Sequence, residues 1–217
     1  MNRGESRLVI WGAGGHGAVV AEVAVATGGF AEIAFIDDGV SVGTRVLDFS
    51  VIGPRNLIPE LRDLAYDSFF IAIGDNGIRR DSFGVMCEAG LLPAELIHPS
   101  ACVSPSATIG RGTLVMPYVV VNARSRVGVN CILNTGCIVE HDCEVGDHVH
   151  LASSSALGGG ARVGSEAMVG MGAMVLPGQS VGSRATLGAG AVAVKPISDG
   201  CVAVGVPARL QTVKVLG

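Results

Sequence analysis

The sequence predicts two domains of different build: a small Rossmann-like parallel α/β domain over residues 1–97 and a parallel β-helix over residues 98–192, with a C-terminal tail over 193–217. Three observations carry this reading. The chain opens on a strand, a glycine turn and a helix in RLVIWGAGGHGAVVAEVAVATGG. From Val103 to Leu187 every sixth residue is Val, Ile or Leu, with no break in register. Glycine is abundant, at 32 residues, while aromatics make up 4%, a composition suited to closely stacked backbone rather than to a bulky core.

In the first domain, apolar residues at helical spacing follow the glycine turn. The segment AEIAFIDDG reads as a second strand ending in Asp37 and Asp38, and SFFIAIGDNGIRR as a third ending in the loop Gly74-Asp75-Asn76-Gly77. Alternating strands and helices predict a parallel sheet, and such sheets bind ligands beyond the carboxyl ends of their strands. Gly12, Gly14 and Gly17 match the G-x-G-x-x-G spacing, with acids about 20 residues on. Two readings stay open on the residues alone. The glycines let backbone amides approach a phosphate at a helix N-terminus, or they form a tight turn and the acids cap a strand.

The second domain is a hexapeptide repeat. Each hexad makes one short strand and one corner, and three hexads close a triangular coil. Successive coils stack at roughly 4.8 Å, so about five coils make a prism roughly 24 Å tall. The aliphatic residue points inward and a small residue four places later lets the corner close. Cys131, Cys137 and Cys143 occupy that small-residue place, which makes them core rather than metal ligands. His141, two places after Val139, points outward with Asp142 beside it. His148 and His150 follow Val145 by three and five places. Half a coil separates His141 from His150, so one chain does not readily bring them together, whereas the edge of one prism meets the face of another in an oligomer.

In the tail, Lys195-Pro196 ends the regular repeat and Gly205-Val206-Pro207-Ala208-Arg209 forms a further turn. Its basic residues either meet phosphates or form a solvated cap. The net charge of −4 without long charged runs argues against nucleic acid or an anionic membrane as partner. No apolar segment approaches the ~18 residues of a membrane span. No signal-peptide pattern opens the chain, the six cysteines are expected to be reduced, and the cytoplasm is the expected compartment.

Six motifs, GAGGHG, FIDD, AIGDNGIRR, LIHPSACVSPSATIG, VEHDCEVGDHVHLASSSALGGG and VGVPAR, together resemble one family over nearly the whole chain. It is the hexapeptide-repeat acetyltransferases of nucleotide-linked amino sugars, which includes the perosamine and bacillosamine types and related sialic acid O-acetyltransferases. The motifs look most like those of the perosamine branch. The resemblance implies a left-handed β-helix, a homotrimer with active sites at subunit interfaces, acetyl-CoA as cosubstrate and no metal. It implies transfer to the amine of a nucleotide sugar, with the 4-amino group of GDP-perosamine as the first expectation and sugar O-acetylation as the alternative. By the same resemblance His141 is the catalytic base, with Asp142 beside it. Gly14, Gly15, His16, Asp37, Asp38 and Asn76 fall to the nucleotide sugar. His150, Gly159, Gly170, Gly172, Ala173 and Lys195 fall to the coenzyme.

The chemistry suits these residue types. An amine attacking a thioester must lose a proton, and imidazole accepts one near neutral pH. A neighbouring carboxylate fixes the imidazole tautomer, and the glycine run Gly158–Gly160 offers backbone N–H groups to the oxyanion. Two other classes compete. A metal-dependent lyase on this helix gathers three histidines across a subunit seam, but here the spacings are 7 and 2. A non-catalytic β-helix would leave the EHDC segment without a role.

Overall fold

The computed structural model describes residues 6–211. The described residues divide into two compact units, one running to residue 99 with 111–114 added and the other made of 100–110 and the residues from 115 on.

The first unit is built on β1 (Ser6–Trp11), β2 (Phe30–Ile36), β3 (Arg45–Val46), β4 (Phe49–Gly53), β5 (Ser68–Ile71) and β6 (Leu92–Pro93). They form one sheet in the order β3-β4-β2-β1-β5-β6, parallel except for β3 against β4. After Ser6 and Arg7 the central strand β1 is apolar from Leu8 to Trp11, and Leu8, Val9 and Ile10 are wholly buried, as a strand covered on both faces requires. Helix α1 (Gly15–Thr27) buries Val20, Ala21 and Ala24. Helix α2 (Asn76–Glu88) starts where the Asp75 carboxylate accepts from the Ile78 N–H at 2.8 Å, a side-chain N-cap. Trp11, Ile36, Leu61, Phe69 and Met86 pack in one core cluster. Because β1, β2 and β5 run parallel, the loops at Gly12–Gly17, Asp37–Asp38 and Gly74–Gly77 leave the same edge of the sheet.

The second unit is a left-handed parallel β-helix. Each two-residue strand pairs with the third strand along the chain, as Val120 with Ile138, Ile138 with Ala156, and Ala156 with Met174. This produces three sheets. The ridge residues Val121, Val139, Leu151, Leu157, Val169, Val175 and Leu187 line the buried interior, and Cys131, Cys137 and Cys143 are wholly buried beside them. The Cys131 and Cys143 thiols donate to the carbonyls of Gly146 and Gly158 at 3.1 and 3.3 Å. Burial pushes the Cys137 thiol up to about 12.

The residue three places after each ridge position, from Gly112 to Gly190, has a left-handed φ of 53° to 70°. Every corner therefore turns the same way. Residues one full coil apart stack at one corner, which makes ladders such as Arg124, Asp142 and Gly160. The outward residues differ by face: Arg126, Glu144 and Arg162 on one, Val120, Ile138, Ala156 and Met174 on another. Six-residue spacing ends at Lys195-Pro196 as expected, but the coil does not. Ile197 bridges Val181, and Val202 pairs with Thr186, so the coil closes once more on a slightly shortened turn. Arg209–Leu210 then runs antiparallel to Val202–Val204, and residues 212–217 of the expected tail lie outside the described residues. No helix of the described residues is long and apolar enough to cross a membrane.

Candidate functional site

His141 stands at an exposed corner of the β-helix. Its Nδ1 lies 2.7 Å from Asp142 Oδ2, while Asp142 occupies the left-handed corner position with φ 59°. Asp is enriched in this conformation, which other corners of the coil fill with Tyr118, Arg124 or Glu166, and here it sets a carboxylate next to the imidazole. One coil earlier at the same corner, Arg124 donates from Nε to Asp142 Oδ1 at 2.6 Å and from its terminal amine to Oδ2 at 2.8 Å. The Arg124 guanidinium, then the His141 hydrogen bond, hold the Asp142 carboxyl well below the usual carboxylate range. One coil later, Gly159 lies over the imidazole: a Cβ built there would sit 2.7 Å from His141 Cε1 and Nε2. Glycine is thus required for His141 to keep its ring position.

The segment leading to His141 is pinned from below. Asn122 donates to the Glu140 carboxylate at 3.0 Å, and the Ser125 hydroxyl donates to the Glu140 carbonyl at 2.6 Å. In the glycine run, Gly158 and Gly160 spend their N–H groups on the carbonyls of Val175 and His141. Among the described residues Gly159 is the member whose N–H makes no backbone hydrogen bond.

His150 faces outward on a different sheet, with its Nε2 3.3 Å from Asn134 Nδ2. Asn134 Oδ1 accepts the Thr135 N–H at 2.8 Å, which turns its amide nitrogen toward the imidazole. Both line a groove of about 420 Å³ with Met168, Gly170, Met171 and Thr186. His148 is elsewhere again, at a corner where its Nδ1 lies 2.8 Å from Asn130 Nδ2. The six residues expected at the coenzyme therefore divide. His150 and Gly170 line the groove, and Gly159 lies against His141. Gly172 is a corner residue, the Ala173 side chain is wholly buried, and Lys195 is exposed. No group of three or more His, Cys, Asp or Glu among the described residues is placed to hold a metal ion.

In the α/β unit, packing accounts for two glycines of the motif. Gly12 has φ 115°, and a side chain on Gly17 would strike the Gly12 carbonyl oxygen. Gly14 and Gly15 are exposed, and a Cβ at either meets nothing within 4 Å. Asp37 accepts from the N–H groups of Ala13 at 2.8 Å, Gly39 at 2.8 Å and Val40 at 3.1 Å, so it braces the glycine turn. Asp38 accepts from the Arg55 N–H at 2.9 Å and pairs with its guanidinium at 3.3 Å. Arg79 is wholly buried and donates to the Ile73 and Gly74 carbonyls at 3.1 Å and to Asn76 Oδ1 at 2.7 Å. His16 Nε2 is buried without a hydrogen bond, and burial, reinforced by Arg79, lowers the basicity of His16.

The sequence reading missed Arg124 and Asn134. Arg124 was findable by counting back one full coil from Asp142 once the repeat was known. Asn134 reaches His150 along a diagonal, off the coil spacing, that the repeat does not single out.

A hexapeptide β-helix carrying an exposed imidazole–carboxylate pair, joined to a parallel α/β unit, defines the class of β-helix acyltransferases. Residues 7–85 match the family model described as the PglD N-terminal domain. UDP-N-acetylbacillosamine N-acetyltransferase of Bacillus subtilis is 37% identical over 113 residues, half of each chain. PerB of Caulobacter crescentus, solved with CoA and GDP-perosamine, is 40% identical over 95% of this chain and 98% of that one, with a TM-score of 0.91. The H141N variant of perosamine N-acetyltransferase from the same organism has been solved with the same two ligands. The acetyltransferase domain of PglB from Neisseria gonorrhoeae, solved with acetyl coenzyme A, is 42% identical over 96% and 100% of the two chains, also with a TM-score of 0.91. The chain belongs to this family of N-acetyltransferases of nucleotide-linked amino sugars.

Proposed function

We propose that this chain transfers an acetyl group from acetyl-CoA to the amine of a nucleotide-linked amino sugar, with the 4-amino group of GDP-perosamine as the preferred acceptor. The observation that carries the reading is the His141–Asp142 pair, set beside the bare backbone of Gly159. Asp142 accepts from Nδ1–H, which leaves the Nε2 lone pair of His141 to take a proton. The sugar amine attacks the thioester carbonyl, a C–N bond forms, and His141 Nε2 takes the amine proton. The Gly159 N–H stabilises the oxyanion of the tetrahedral intermediate. That intermediate collapses with loss of the coenzyme thiolate, which His141 reprotonates, so atoms and charge balance without a covalent enzyme intermediate.

The α/β unit takes the nucleotide sugar at its glycine loop, where Gly14 and Gly15 leave the backbone approachable and His16, Asn76, Asp37 and Asp38 shape the surroundings. The groove with His150 and Gly170 takes the acetyl-bearing end of the coenzyme, with Gly172, Ala173 and Lys195 serving the same molecule. The complexes of the Caulobacter and Neisseria relatives with CoA, acetyl coenzyme A and GDP-perosamine support the choice of these two ligands. The apolar face with Ile138 and Met174, beside the exposed Met171, favours a homotrimer. Six free thiols favour the reducing cytoplasm as its compartment.

The test is thiol release from acetyl-CoA with GDP-perosamine, UDP-linked 4-amino sugars and free sialic acid as acceptors. Release with a nucleotide amino sugar and not with sialic acid is the expected result. His141→Ala is expected to lower kcat by about 10²–10⁴-fold, the usual worth of a general base. An undiminished kcat in that variant would remove the base, and release with sialic acid alone would move the reaction to O-acetylation.

A further inference from the structure

The ladder at the His141 corner has a member that the reaction, as written, does not use. Arg124 approaches Asp142 from one coil away with two parallel N–H···O contacts, at 2.6 and 2.8 Å. A bidentate guanidinium–carboxylate fork fixes the plane of the carboxylate as well as its position. Asp142 Oδ2 is shared: it accepts from Arg124 and lies 2.7 Å from His141 Nδ1. The geometry points to Arg124 as a positioning residue that acts on His141 through Asp142. This inference rests on the proposed role of His141.

Three features favour this over a surface ion pair of small consequence. First, Arg124 is itself at a left-handed corner, with φ 61°, and its N–H lies 3.2 Å from the Ser106 hydroxyl. Its backbone is therefore set by the coil and not by a mobile loop. Second, the carboxylate it grips already bonds the imidazole, so a rotation of Asp142 would release Nδ1–H. Third, Glu140, the acid on the other side of His141 in the chain, is held by Asn122, and Gly159 covers the ring, so the orientation of the imidazole falls to Asp142. The Arg124 guanidinium also holds the Asp142 carboxyl below the usual carboxylate range, so the pair persists further into acid than a lone aspartate would stay charged. An ionised, oriented Asp142 keeps the proton of neutral His141 on Nδ1, and Nε2 stays open to accept.

Wild type, Arg124→Gln, Arg124→Lys, Asp142→Asn and the Arg124→Gln/Asp142→Asn double variant separate the possibilities. In Arg124→Gln, kcat is expected to fall about 10-fold, a fraction of what a general base supplies, with KM for both substrates within about twofold of wild type. Arg124→Lys restores part of the loss, since lysine keeps the charge but not the fork. In the Asp142→Asn background the Arg124→Gln change adds nothing, because the two act as a unit. Nitrogen-15 spectra of histidine-labelled protein show His141 as the Nδ1–H tautomer in wild type and as a mixture in Arg124→Gln. Additive losses, or a KM for acetyl-CoA that rises with kcat unchanged, would overturn the proposal in favour of direct contact with substrate. The tautomer spectrum needs no turnover. An enzyme inactive towards every acceptor but showing the tautomer change would sink the acetyl-transfer reading and leave the positioning intact, and an active enzyme without the change would do the reverse.

Discussion

In the β-helix a residue's number gives its address; in the α/β unit it does not. Ile138, Ala156 and Met174 are stacked neighbours because each is one coil beyond the last, and Arg124 meets Asp142 for the same reason. In the α/β unit Ala13 meets Asp37, and Arg79 reaches Ile73, Gly74 and Asn76, at spacings that follow no rule. The first region is made of equivalent rungs, so what sets the His141 corner apart is the side chains it carries, an imidazole bonded to a carboxylate with Gly159 over the ring. The second is made of unlike parts, so single residues such as Gly17 and Arg79 each do a job that no other position repeats.

The largest effect that would test this contrast is expected in the α/β unit. Gly17→Ala drives a methyl into the Gly12 carbonyl and is expected to cost about 3 kcal/mol, at the upper end of overpacking, measured by urea unfolding. Gly14→Ala, in the same motif, has open space and a φ of −81° that alanine adopts freely. It is expected to leave stability unchanged while raising KM for the nucleotide sugar, and a stability loss equal to that of Gly17→Ala would break the distinction.

Next comes the equivalence of rungs. Leu133→Ala and Leu151→Ala, both wholly buried ridge residues on one face, should each cost about 2–3 kcal/mol, within experimental error of each other. A large disparity would show that the coils are not energetically alike. Smaller again is Gly159→Ala, which is expected to lower kcat about 10-fold, or about 1.4 kcal/mol, by displacing the His141 ring while the unfolding midpoint hardly moves. The smallest concerns acid. His16 is held less basic in the folded state than in the unfolded chain, so the unfolded chain binds more protons as the pH falls below its ordinary range. Stability is then full above about pH 6.5 and declines below it. His16→Asn should flatten that decline, measured as denaturation midpoints between about pH 5 and 7.

Much of this was legible before any coordinates. The fifteen ridge residues announce the coil, and the three buried cysteines follow from their place four positions later. That His141 points outward with Asp142 beside it followed from the places two and three beyond Val139, while their role came from the resemblance. Their pairing at 2.7 Å was legible as a neighbouring carboxylate but not as a hydrogen bond. The acids after β2 read as candidates for the nucleotide sugar, yet Asp37 is engaged by three backbone N–H groups and Asp38 by Arg55. Nothing in the spacing separates those uses, because a carboxylate at a strand end accepts equally well from protein or ligand.

The sequence by itself determined the period, the inward ridge, the outward histidine and the strand–turn–helix order of the first unit, since each depends on the side-chain pattern along one element. Tertiary structure alone decided three things. The coil closes a further, shortened turn past Lys195, Arg124 forks Asp142 from the coil below, and Gly159 leaves the space that the His141 ring fills. Each of these depends on distances between coils that are near in space and a full turn apart in sequence, where a few tenths of an ångström separate a hydrogen bond from a clash.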